Sequence, residues 1–456
     1  CAMIPSYVSC LIQKLSDAGY RTAAVGGCVR DSLLKREPHD WDLATAAPWQ
    51  TVKALFSDSF PVIETGTQHG TVTVLSEGHP IEVTTFRIDG SYSDGRHPDY
   101  VHFTDDLEQD LSRRDFTINA MAFDGGHLID PFGGRDDLSL RIIRCVGDPK
   151  MRFQEDALRM LRALRFSSSL GFTIEEQTAS AIHKQAAALS LISAQRIFSE
   201  LQKLLCGSNV KEVLLGFSDV FAYILPELTP LFGLPQNTPH HRYDVWEHTV
   251  QTVANVPPCP HMRFAALFHD MGKAACRSTD ANGIDHFFGH AKKSAEYAHQ
   301  ILFRLKSDRK ALDTICALVR RHDIPIDPDE RLILRRLRQF GPAFFFDLLA
   351  LKRADCLAQA AHPKRLFLLQ SAEKTAKRLL SSNACFSLKS LAVHGDDLIA
   401  AGIPEGKAVG YCLKSLLNAV VEGILPNEKT ALLDALPQIL KEYQNTARPP
   451  YTGNSC

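Results

Sequence analysis

The stretch Pro38-His39-Asp40-Trp41-Asp42-Leu43 places two aspartates one residue apart in a run that predicts a β-strand over residues 39–44. Alternate residues of a strand point to the same face, so Asp40 and Asp42 are expected to present two carboxylates side by side. Two such charges repel each other, and a hard divalent cation such as Mg²⁺ relieves the repulsion. The alternative is a solvated Asp-x-Asp in a surface turn.

A glycine pair precedes these aspartates. Gly26 and Gly27 follow a short apolar run that predicts a strand over residues 21–25, and a helix is expected over residues 29–34. Glycine lets backbone N–H groups approach phosphate oxygens, and the N-terminus of a helix attracts anions. Arg30 adds a planar donor for the same oxygens. A carboxylate pair next to a phosphate cradle predicts phosphoryl or nucleotidyl transfer.

Three further features lie in the first 123 residues. β-rich runs predict strands over residues 62–64, 71–75 and 81–87, and Glu82 in the last is either a third metal ligand or an edge-strand charge. Residues 89–99 are rich in turn formers and predict a loop, either a lid or an ordinary connection. The apolar spacing of residues 111–123 predicts a helix, in which Arg113 and Arg114 beside Asp115 either form a surface ion pair or one of them binds triphosphate.

The stretch of residues 141–165 is locally basic, with seven Lys or Arg and three acidic residues. Residues 157–170 predict a strong helix, along which four charged residues recur every third position: Asp156, Arg159, Arg162 and Arg165. A paired Asp and Arg can read the edge of a nucleobase, because one accepts and the other donates hydrogen bonds in fixed geometry. The alternative is a helix face laced by ion pairs.

A second signature lies in a helical region farther along the chain. Imidazole and carboxylate groups are good ligands for Mn, Fe, Ni or Zn, and an adjacent His-Asp pair can give two ligands to one ion. A lone buried histidine is usually a core residue, whereas several around a His-Asp pair indicate a metal site. The candidates are His248, His269, Asp270, His290, His322 and Asp355.

Composition narrows the class of protein. The chain has 456 residues and a formal net charge of −1, so two or more domains are expected and any nucleic-acid surface must be local. The 12 cysteines are scattered without a C-x-x-C pair, which indicates reduced cytoplasmic thiols. The sequence contains no apolar run of 18 residues, and its start does not read as a secretory signal, so no membrane span is expected.

Together the motifs resemble the class II tRNA nucleotidyltransferase (CCA-adding enzyme) and bacterial poly(A) polymerase family. The matching segments, in the family's order, are Gly26-Gly27-Cys28-Val29-Arg30-Asp31, Asp40-Trp41-Asp42, Arg113-Arg114-Asp115-Phe116-Thr117-Ile118-Asn119-Ala120, Asp130-Pro131 and Glu155-Asp156-Ala157-Leu158-Arg159-Met160-Leu161-Arg162. The resemblance implies an α+β fold, with a small mixed-sheet head over residues 1–145, a helical neck over 146–226, a helical metal domain over 227–365 and a helical tail over 366–456.

The resemblance also implies roles for residues. Asp40 and Asp42 would bind Mg²⁺, while Gly27, Arg30 and Arg114 would contact the nucleotide. The roles in reading or supporting the incoming base fall to Asp156, Arg159, Arg162 and Arg165. The partners would be the tRNA acceptor end, CTP and ATP, and the loop containing Asp94, Arg96, His97 and Pro98 resembles that of enzymes that add C, C and A.

The later region resembles the HD metal-dependent phosphohydrolase superfamily. His248, His269, Asp270 and Asp355 match its basic ligand pattern, and His290 and His322 would join if a second metal binds. The resemblance leaves open whether this site is active, as an accessory phosphohydrolase. Two other functions also stay open: a poly(A) polymerase, and an HD phosphohydrolase whose front half binds RNA.

Overall fold

The computed structural model describes residues 4–90, 100–237, 242–359 and 363–446. The chain divides into two compact units, which are described separately below. The first comprises residues 1–232 with 258–260 and 300–309; the second comprises residues 233–257, 261–299 and 310–456. Among the described residues, none of the helices combines the length and apolar composition needed to span a bilayer.

The strands are short and concentrated in the first unit. They are β1 (Thr22–Val25), β2 (Trp41–Thr45), β3 (Val62–Gly66), β4 (Thr71–Ser76), β5 (His79–Thr85), β6 (Arg87–Asp89), β7 (Val101–Phe103), β8 (Ala122–Phe123), β9 (Leu128–Ile129), β10 (Ile142–Ile143), β11 (Thr173–Ile174), β12 (Ser278–Thr279) and β13 (Asp285–His286). Seven of them form one sheet in the order β3-β4-β5-β2-β1-β8-β9. Its only parallel pair is β2 with β5, so the described sheet is mixed.

Helices form most of the remainder. Those that begin in the first unit's main segment are α1 (Ser6–Asp17), α2 (Gly27–Leu33), α3 (Trp49–Phe56), α4 (Leu107–Ser112), α5 (Gly134–Leu140), α6 (Pro149–Glu155), α7 (Leu158–Leu170), α8 (Glu176–Gln185), α9 (Ala194–Leu205), α10 (Val210–Gly216) and α11 (Ser218–Ile224). Short 3₁₀ turns cover Thr67–His69, Thr117–Asn119, Ala186–Leu191, Pro226–Leu231 and Leu388–Ser390.

The later helices are α12 (Val245–Asn255), α13 (Pro260–Phe268), α14 (Lys273–Cys276), α15 (His290–Arg304), α16 (Arg309–Arg321), α17 (Glu330–Phe340), α18 (Pro342–Leu357), α19 (Pro363–Ser381), α20 (Gly395–Ala400), α21 (Lys407–Val421), α22 (Lys429–Asp434) and α23 (Leu436–Thr446). A small mixed sheet followed by helices confirms the predicted α+β class. The four-part division at residues 145, 226 and 365 stays a prediction.

The apolar periodicity explains the packing of the head. In α1, the positions that recur at helical spacing are buried: Val8, Leu11, Ile12 and Leu15. All four residues of β1 are buried, as expected for a central strand. In β5, buried Ile81 and Val83 alternate with exposed Glu82, which leaves that carboxylate on the open face of the sheet.

The predicted helix over residues 111–123 is wrong. Helix α4 ends at Ser112, and the segment continues through a 3₁₀ turn into β8. The reason is a buried polar network: Oδ1 of Asp115 accepts from the backbone N–H of Phe116 (2.9 Å) and from Nδ2 of Asn119 (3.1 Å). The bond from the backbone N–H of Phe116 to the Asp115 side chain competes with the helical pattern, and the side-chain bond from Asn119 holds the carboxylate in place.

Two other boundaries differ from the predictions. The carboxylate strand β2 begins at Trp41, so Asp40 lies one residue before it, and the predicted strand over residues 81–87 is interrupted at Phe86. The predicted loop residues Asp94, Arg96, His97 and Pro98 lie outside the described residues, as do the last ten residues of the predicted helical tail, 447–456.

Candidate active site and metal centre

The glycine turn lies between β1 and α2. Gly26 has a φ of +81°, and its backbone N–H donates to the carbonyl of Met121 (3.2 Å). A Cβ built on Gly26 would lie 2.8 Å from Nη1 of Arg114. The positive φ therefore favours glycine here, and a side chain would also displace Arg114, which lies directly against the turn.

The carboxylates meet where β2 runs parallel to β5. This pairing places Asp42 level with Glu82. Burial raises the pKa of Asp42 to about 6, the charges of Glu82 and Asp40 add to the increase, and the charge of Arg114 opposes it. Asp40 and Glu82 are exposed, whereas Asp42 is half-buried. Three carboxylates and one guanidinium therefore share a small volume beside the glycine turn.

This donor set fits Mg²⁺, which prefers oxygen ligands and typically takes one or two carboxylates together with substrate phosphates. The raised pKa of Asp42 reflects crowding that a cation would relieve. Nε of Arg114 is buried and has no hydrogen-bond partner among the described residues. Among the described residues, groups of three metal-ligand atoms within 4.8 Å of one another occur only in the second unit, and the three carboxylates of the head do not form one.

Arg30, predicted to contact phosphate, is largely engaged within the protein. Its Nε and Nη2 donate to Asp31 (2.9 Å each), and its Nη1 donates to Oδ1 of Asn119 (2.7 Å). The guanidinium also lies 5.0 Å from the ring centroid of Phe166. A Cβ on Gly27 would lie 3.6 Å from Nη2 of Arg30, so the guanidinium of this arginine packs against the glycine turn.

Asp156 occupies the joint between α6 and α7 in an extended conformation. Its Oδ1 accepts from the backbone N–H of Leu158 (3.0 Å), which caps α7. Arg196 of α9 donates to both carboxylate oxygens, from Nη2 to Oδ2 (2.6 Å) and from Nη1 to Oδ1 (3.3 Å). The ion-pair partner of Asp156 is thus Arg196, 40 positions away.

Arg159 makes different contacts. Its Nη1 donates to Glu155 and to the carbonyl of Arg152 (3.3 Å), and its Nη2 donates to the carbonyl of Arg113 (3.1 Å). The ion pair of Arg159 therefore joins α7 to the end of α6 and uses Glu155 rather than Asp156. Three of the five N–H groups of Arg159 are engaged in these bonds, which leaves two for a base.

Arg162 and Arg165 each pair with a buried carboxylate. Arg162 donates to Oδ2 of Asp115 from Nε (2.8 Å) and lies 2.7 Å from it through Nη2. Burial works against the charge of Asp115, but Arg162 and the bond from Asn119 outweigh it and lower the pKa of Asp115 to about 2. Nε of Arg165 lies 2.6 Å from Glu200. The predicted nucleotide-binding roles of Arg162 and Arg165 stay predictions, and these contacts fit a supporting role.

In the second unit, six side chains meet at the ends of helices. They are His248 on α12, His269 and Asp270 directly after α13, His290 at the start of α15, His322 after α16 and Asp355 on α18. Five of the six are buried, and His290 is partly buried. The sequence-predicted metal ligands are therefore brought together from five helices.

Asp270 lies at the centre of this cluster. Its Oδ2 is 3.1 Å from Nε2 of His269 and 3.4 Å from Nε2 of His248, and its Oδ1 is 3.4 Å from Nε2 of His290 and 3.8 Å from Nε2 of His322. Two overlapping groups result, each with three ligand atoms within 4.8 Å of one another. Asp355 extends the first, with Oδ1 3.1 Å from Nε2 of His248.

Backbone carbonyls orient all four imidazoles. Each Nδ1 hydrogen bonds to a carbonyl: His248 to Ala358 (3.3 Å), His269 to Ala266 (2.7 Å), His290 to Phe287 (2.8 Å) and His322 to Val319 (2.7 Å). Each Nε2 therefore faces the centre, the arrangement that metal-binding histidines use. Burial lowers the pKa of His322 to about 3, which keeps it neutral as a ligand must be. The donor set fits Mn, Fe, Ni or Zn.

A cavity of about 540 Å³ opens onto this cluster. Lys273 and Arg365 place two cations in its wall, with Nζ of Lys273 2.7 Å from Asp270 and Nη2 of Arg365 3.3 Å from Asp355. Nζ of Lys273 also donates to Oε1 of Gln236 (2.7 Å). A cavity of this size with cations beside candidate metal ligands can hold a small anion such as a phosphate ester.

Comparison with known proteins adds an independent observation. Residues 22–144 match the poly A polymerase head domain, residues 171–232 match the RNA and SrmB-binding site of polymerase A, and residues 278–436 match tRNA nucleotidyltransferase domain 2. A CCA-adding enzyme of Limosilactobacillus reuteri is 34% identical over 440 residues, which span 95% of this chain and 96% of that protein. The chain belongs to the CCA-adding enzyme family.

Other members of the CCA-adding enzyme family are also similar to this chain in sequence and structure. A CCA-adding enzyme of Leuconostoc mesenteroides is 33% identical over 95% of this chain and 96% of its own length. The crystal structure of the Bacillus stearothermophilus CCA-adding enzyme in complex with CTP has a TM-score of 0.72 at 31% identity, covering 97% of this chain and all of that one. The Thermotoga maritima CCA-adding enzyme complexed with tRNA has a TM-score of 0.57 at 22% identity and supports the fold.

Sequence reasoning missed several residues that support the site of this CCA-adding enzyme family member. Asp115, Asn119 and Glu155 lie within the matching motifs, but their partners are set by folding, so spacing alone could not reveal them. Arg196 and Glu200 lie outside every quoted motif, and nothing in the sequence marked them. They become visible only when α9 is seen to pack against α7.

Proposed function

We propose that this chain adds C, C and A, from CTP and ATP, to the 3′ end of tRNA without a nucleic-acid template. The observation that carries the proposal is the parallel register that places Asp42 level with Glu82, beside a glycine turn that packs against Arg114. Full-length relatives carry the name CCA-adding enzyme, which supports the same reaction.

In this proposal, Asp40 and Asp42 hold Mg²⁺ next to the glycine turn. The ion would neutralise charge on the α-phosphate and favour loss of the proton of the tRNA 3′-hydroxyl. Arg114 offers its Nε–H to the nucleotide, and Arg30 holds the turn in place. The hydroxyl then attacks in line and pyrophosphate leaves.

Asp156 and Arg159 supply base choice. An acceptor and a donor at fixed positions suit N4–H₂ of cytosine and N6–H₂ of adenine and reject O4 of uracil. Arg159 is held at its position by three bonds to Glu155 and to the carbonyls of Arg152 and Arg113. The division into head, neck, metal domain and tail, and a cytoplasmic location, belong to the same proposal.

One assay tests this function against the nearest alternative, a poly(A) polymerase. A tRNA lacking its 3′ CCA is incubated with CTP alone, ATP alone and both, and the products are resolved at single-nucleotide resolution. We expect two additions with CTP, three with both nucleotides and no long tail with ATP. A tail of many adenosines with ATP alone would instead assign poly(A) synthesis.

The histidine–aspartate cluster supports a second candidate function, metal-dependent hydrolysis of a phosphate ester. The observation is that four Nε2 atoms and two carboxylates converge, with each imidazole oriented by a carbonyl. His248, His269, Asp270 and Asp355 would hold a transition metal, with His290 and His322 completing a second site. A metal there would activate water for attack on phosphorus.

This second activity is tested separately from nucleotide addition. Purified protein is analysed for bound metal, and hydrolysis of p-nitrophenyl phosphate and of a 2′,3′-cyclic nucleotide is followed with Mn²⁺ or Ni²⁺. We expect hydrolysis to persist in Asp42→Ala and to disappear in Asp270→Asn. If the wild type neither binds metal nor hydrolyses these substrates, the cluster has only a structural role.

A further inference from the structure

The carboxylate of Asp156 is fixed by three donors. The backbone N–H of Leu158 and Nη1 of Arg196 bond to Oδ1 at 3.0 and 3.3 Å, and Nη2 of Arg196 bonds to Oδ2 at 2.6 Å. A carboxylate offers about four lone-pair sites. The three bonds therefore leave a single acceptor site, and it lies on Oδ2.

We propose that Arg196 is a specificity-determining positioning residue, which holds Asp156 as a pure acceptor with one open site and thereby excludes uracil from the base pocket. The inference rests on the proposed function, in which Asp156 faces the incoming base. It goes beyond that function because it assigns part of the base choice to a residue on α9, outside every motif that the sequence presents.

The hydrogen-bonding edges of the bases explain the selection. Cytosine and adenine each present an exocyclic amino group, which can donate to the open site on Oδ2. Uracil presents O4 and guanine presents O6 at the corresponding position, so two acceptors would face each other without a proton between them. Without Arg196, the carboxylate of Asp156 loses two of its three fixed bonds and can rotate, so its open acceptor site is no longer held toward the base.

The packing of α9 separates this role from a purely structural one. A second ion pair, between Glu200 of α9 and Arg165 of α7, lies at 2.6 Å and is independent of Arg196. Apolar residues of α9 are also buried, among them Leu201, Leu204 and Leu205. Helix α9 therefore keeps its anchorage when Arg196 is replaced, and Arg196→Met retains most of the aliphatic stem.

The test measures kcat and KM of the full-length protein for CTP, ATP and UTP on a tRNA lacking CCA. In Arg196→Met, we expect the ratio of kcat/KM for UTP to that for CTP to rise about tenfold, as loss of charge-assisted bonds of this kind implies. Arg196→Lys retains the charge but not the two-point contact, so an intermediate ratio is expected. Lys203→Met, which removes an exposed cation from the same helix, serves as the matched control and should leave the ratio unchanged.

The outcomes separate this inference from the proposed function. If Arg196→Met lowers kcat/KM for CTP, ATP and UTP by the same factor, Arg196 only holds α9 and the inference is wrong. If Arg196→Met does not fold, the test uses Arg196→Lys instead. A ratio of kcat/KM for UTP to that for CTP equal to the wild-type ratio in Arg196→Lys would then overturn the inference. If the wild type adds no nucleotide, the proposed function itself fails. If Asp156→Asn changes base choice and neither Arg196 variant does, only the inference fails.

Discussion

The carboxylate site of the head and the histidine–aspartate cluster of the second unit hold their side chains by different means. In the cluster, backbone carbonyls orient each imidazole, and ligand atoms lie within 4.8 Å of one another. In the head, two of the three carboxylates, Asp40 and Glu82, are exposed. The nearby arginines Arg30 and Arg162 are held by ion pairs to aspartates. The head is thus suited to a cation completed by substrate phosphates, and the cluster to a resident metal.

The largest expected effect is a loss of nucleotide addition when the carboxylate site of the head is altered. Asp42→Ala should lower kcat for nucleotide addition by about 10³-fold, because the metal's stabilisation of charge in the transition state is lost. Its thermal stability should stay at or above that of the wild type, since a half-buried carboxylate with a pKa of about 6 is ionised at a cost at pH 7.

The control for this variant is Asp58→Ala, which removes an exposed carboxylate from the same unit. Near-normal activity in Asp42→Ala would show that the head is not the catalytic site. A metal content equal to that of the wild type in both variants would show that the cluster binds its metal independently.

A second prediction concerns the ion pairs that brace the head. Asp115→Ala should lower the free energy of unfolding by about 3 kcal/mol, because it leaves the backbone N–H of Phe116 and the side-chain amide of Asn119 without their buried acceptor and removes the partner of Arg162. Since the folded-state pKa of Asp115 is lowered to about 2, its stabilisation is present above about pH 4 and is lost as the pH falls toward 2.

Urea unfolding of wild type and Asp115→Ala between pH 2.5 and 7 measures this effect. The difference between the two proteins should shrink as the pH falls, whereas Asp105→Ala, at an exposed aspartate, should track the wild type throughout. A difference that stays constant across this range would mean that the ion pair does not govern the loss.

The third prediction addresses the cluster. Asp270→Asn should weaken metal binding by about 100-fold, because it removes the charge that both ligand groups share. Metal content after dialysis, measured by plasma mass spectrometry, reports the loss. Asp323→Asn, an exposed carboxylate in the wall of the same cavity, is the matched control. Equal metal retention in Asp270→Asn and Asp323→Asn would remove Asp270 from the ligand set.

The smallest expected effect decides the role of Glu82. If Glu82 contributes to the cation site, Glu82→Gln should raise the Mg²⁺ concentration needed for half-maximal activity by about tenfold, with kcat largely restored at saturating Mg²⁺. The same titration on wild type and on Glu77→Gln gives the baseline. An unchanged Mg²⁺ requirement would leave Glu82 as an edge-strand charge.

The sequence predicted what local spacing determines. Residues 22–25, 27–33 and 41–45 form a strand, a helix and a strand close to the predicted limits, and the histidines and aspartates of the cluster were all named in advance. The helix predicted over residues 111–123 was wrong because apolar spacing cannot reveal that Asp115 and Asn119 are buried in a polar network. The pairing of Asp156 with Arg196 could not be predicted either, because it joins residues 40 positions apart.

The position of Asp156 has a consequence for how such proteins evolve. The backbone N–H of Asp156 bonds to Arg152 at the end of α6, while its carboxylate accepts from the backbone N–H of Leu158 at the start of α7 and is also the group proposed to face the base. A substitution that altered nucleotide preference at this position would also remove a helix cap, typically at a cost of about 1 kcal/mol. A change in the nucleotides that the protein adds is therefore coupled to a loss of folding stability. We expect related proteins to keep both their nucleotide preference and the aspartate between α6 and α7.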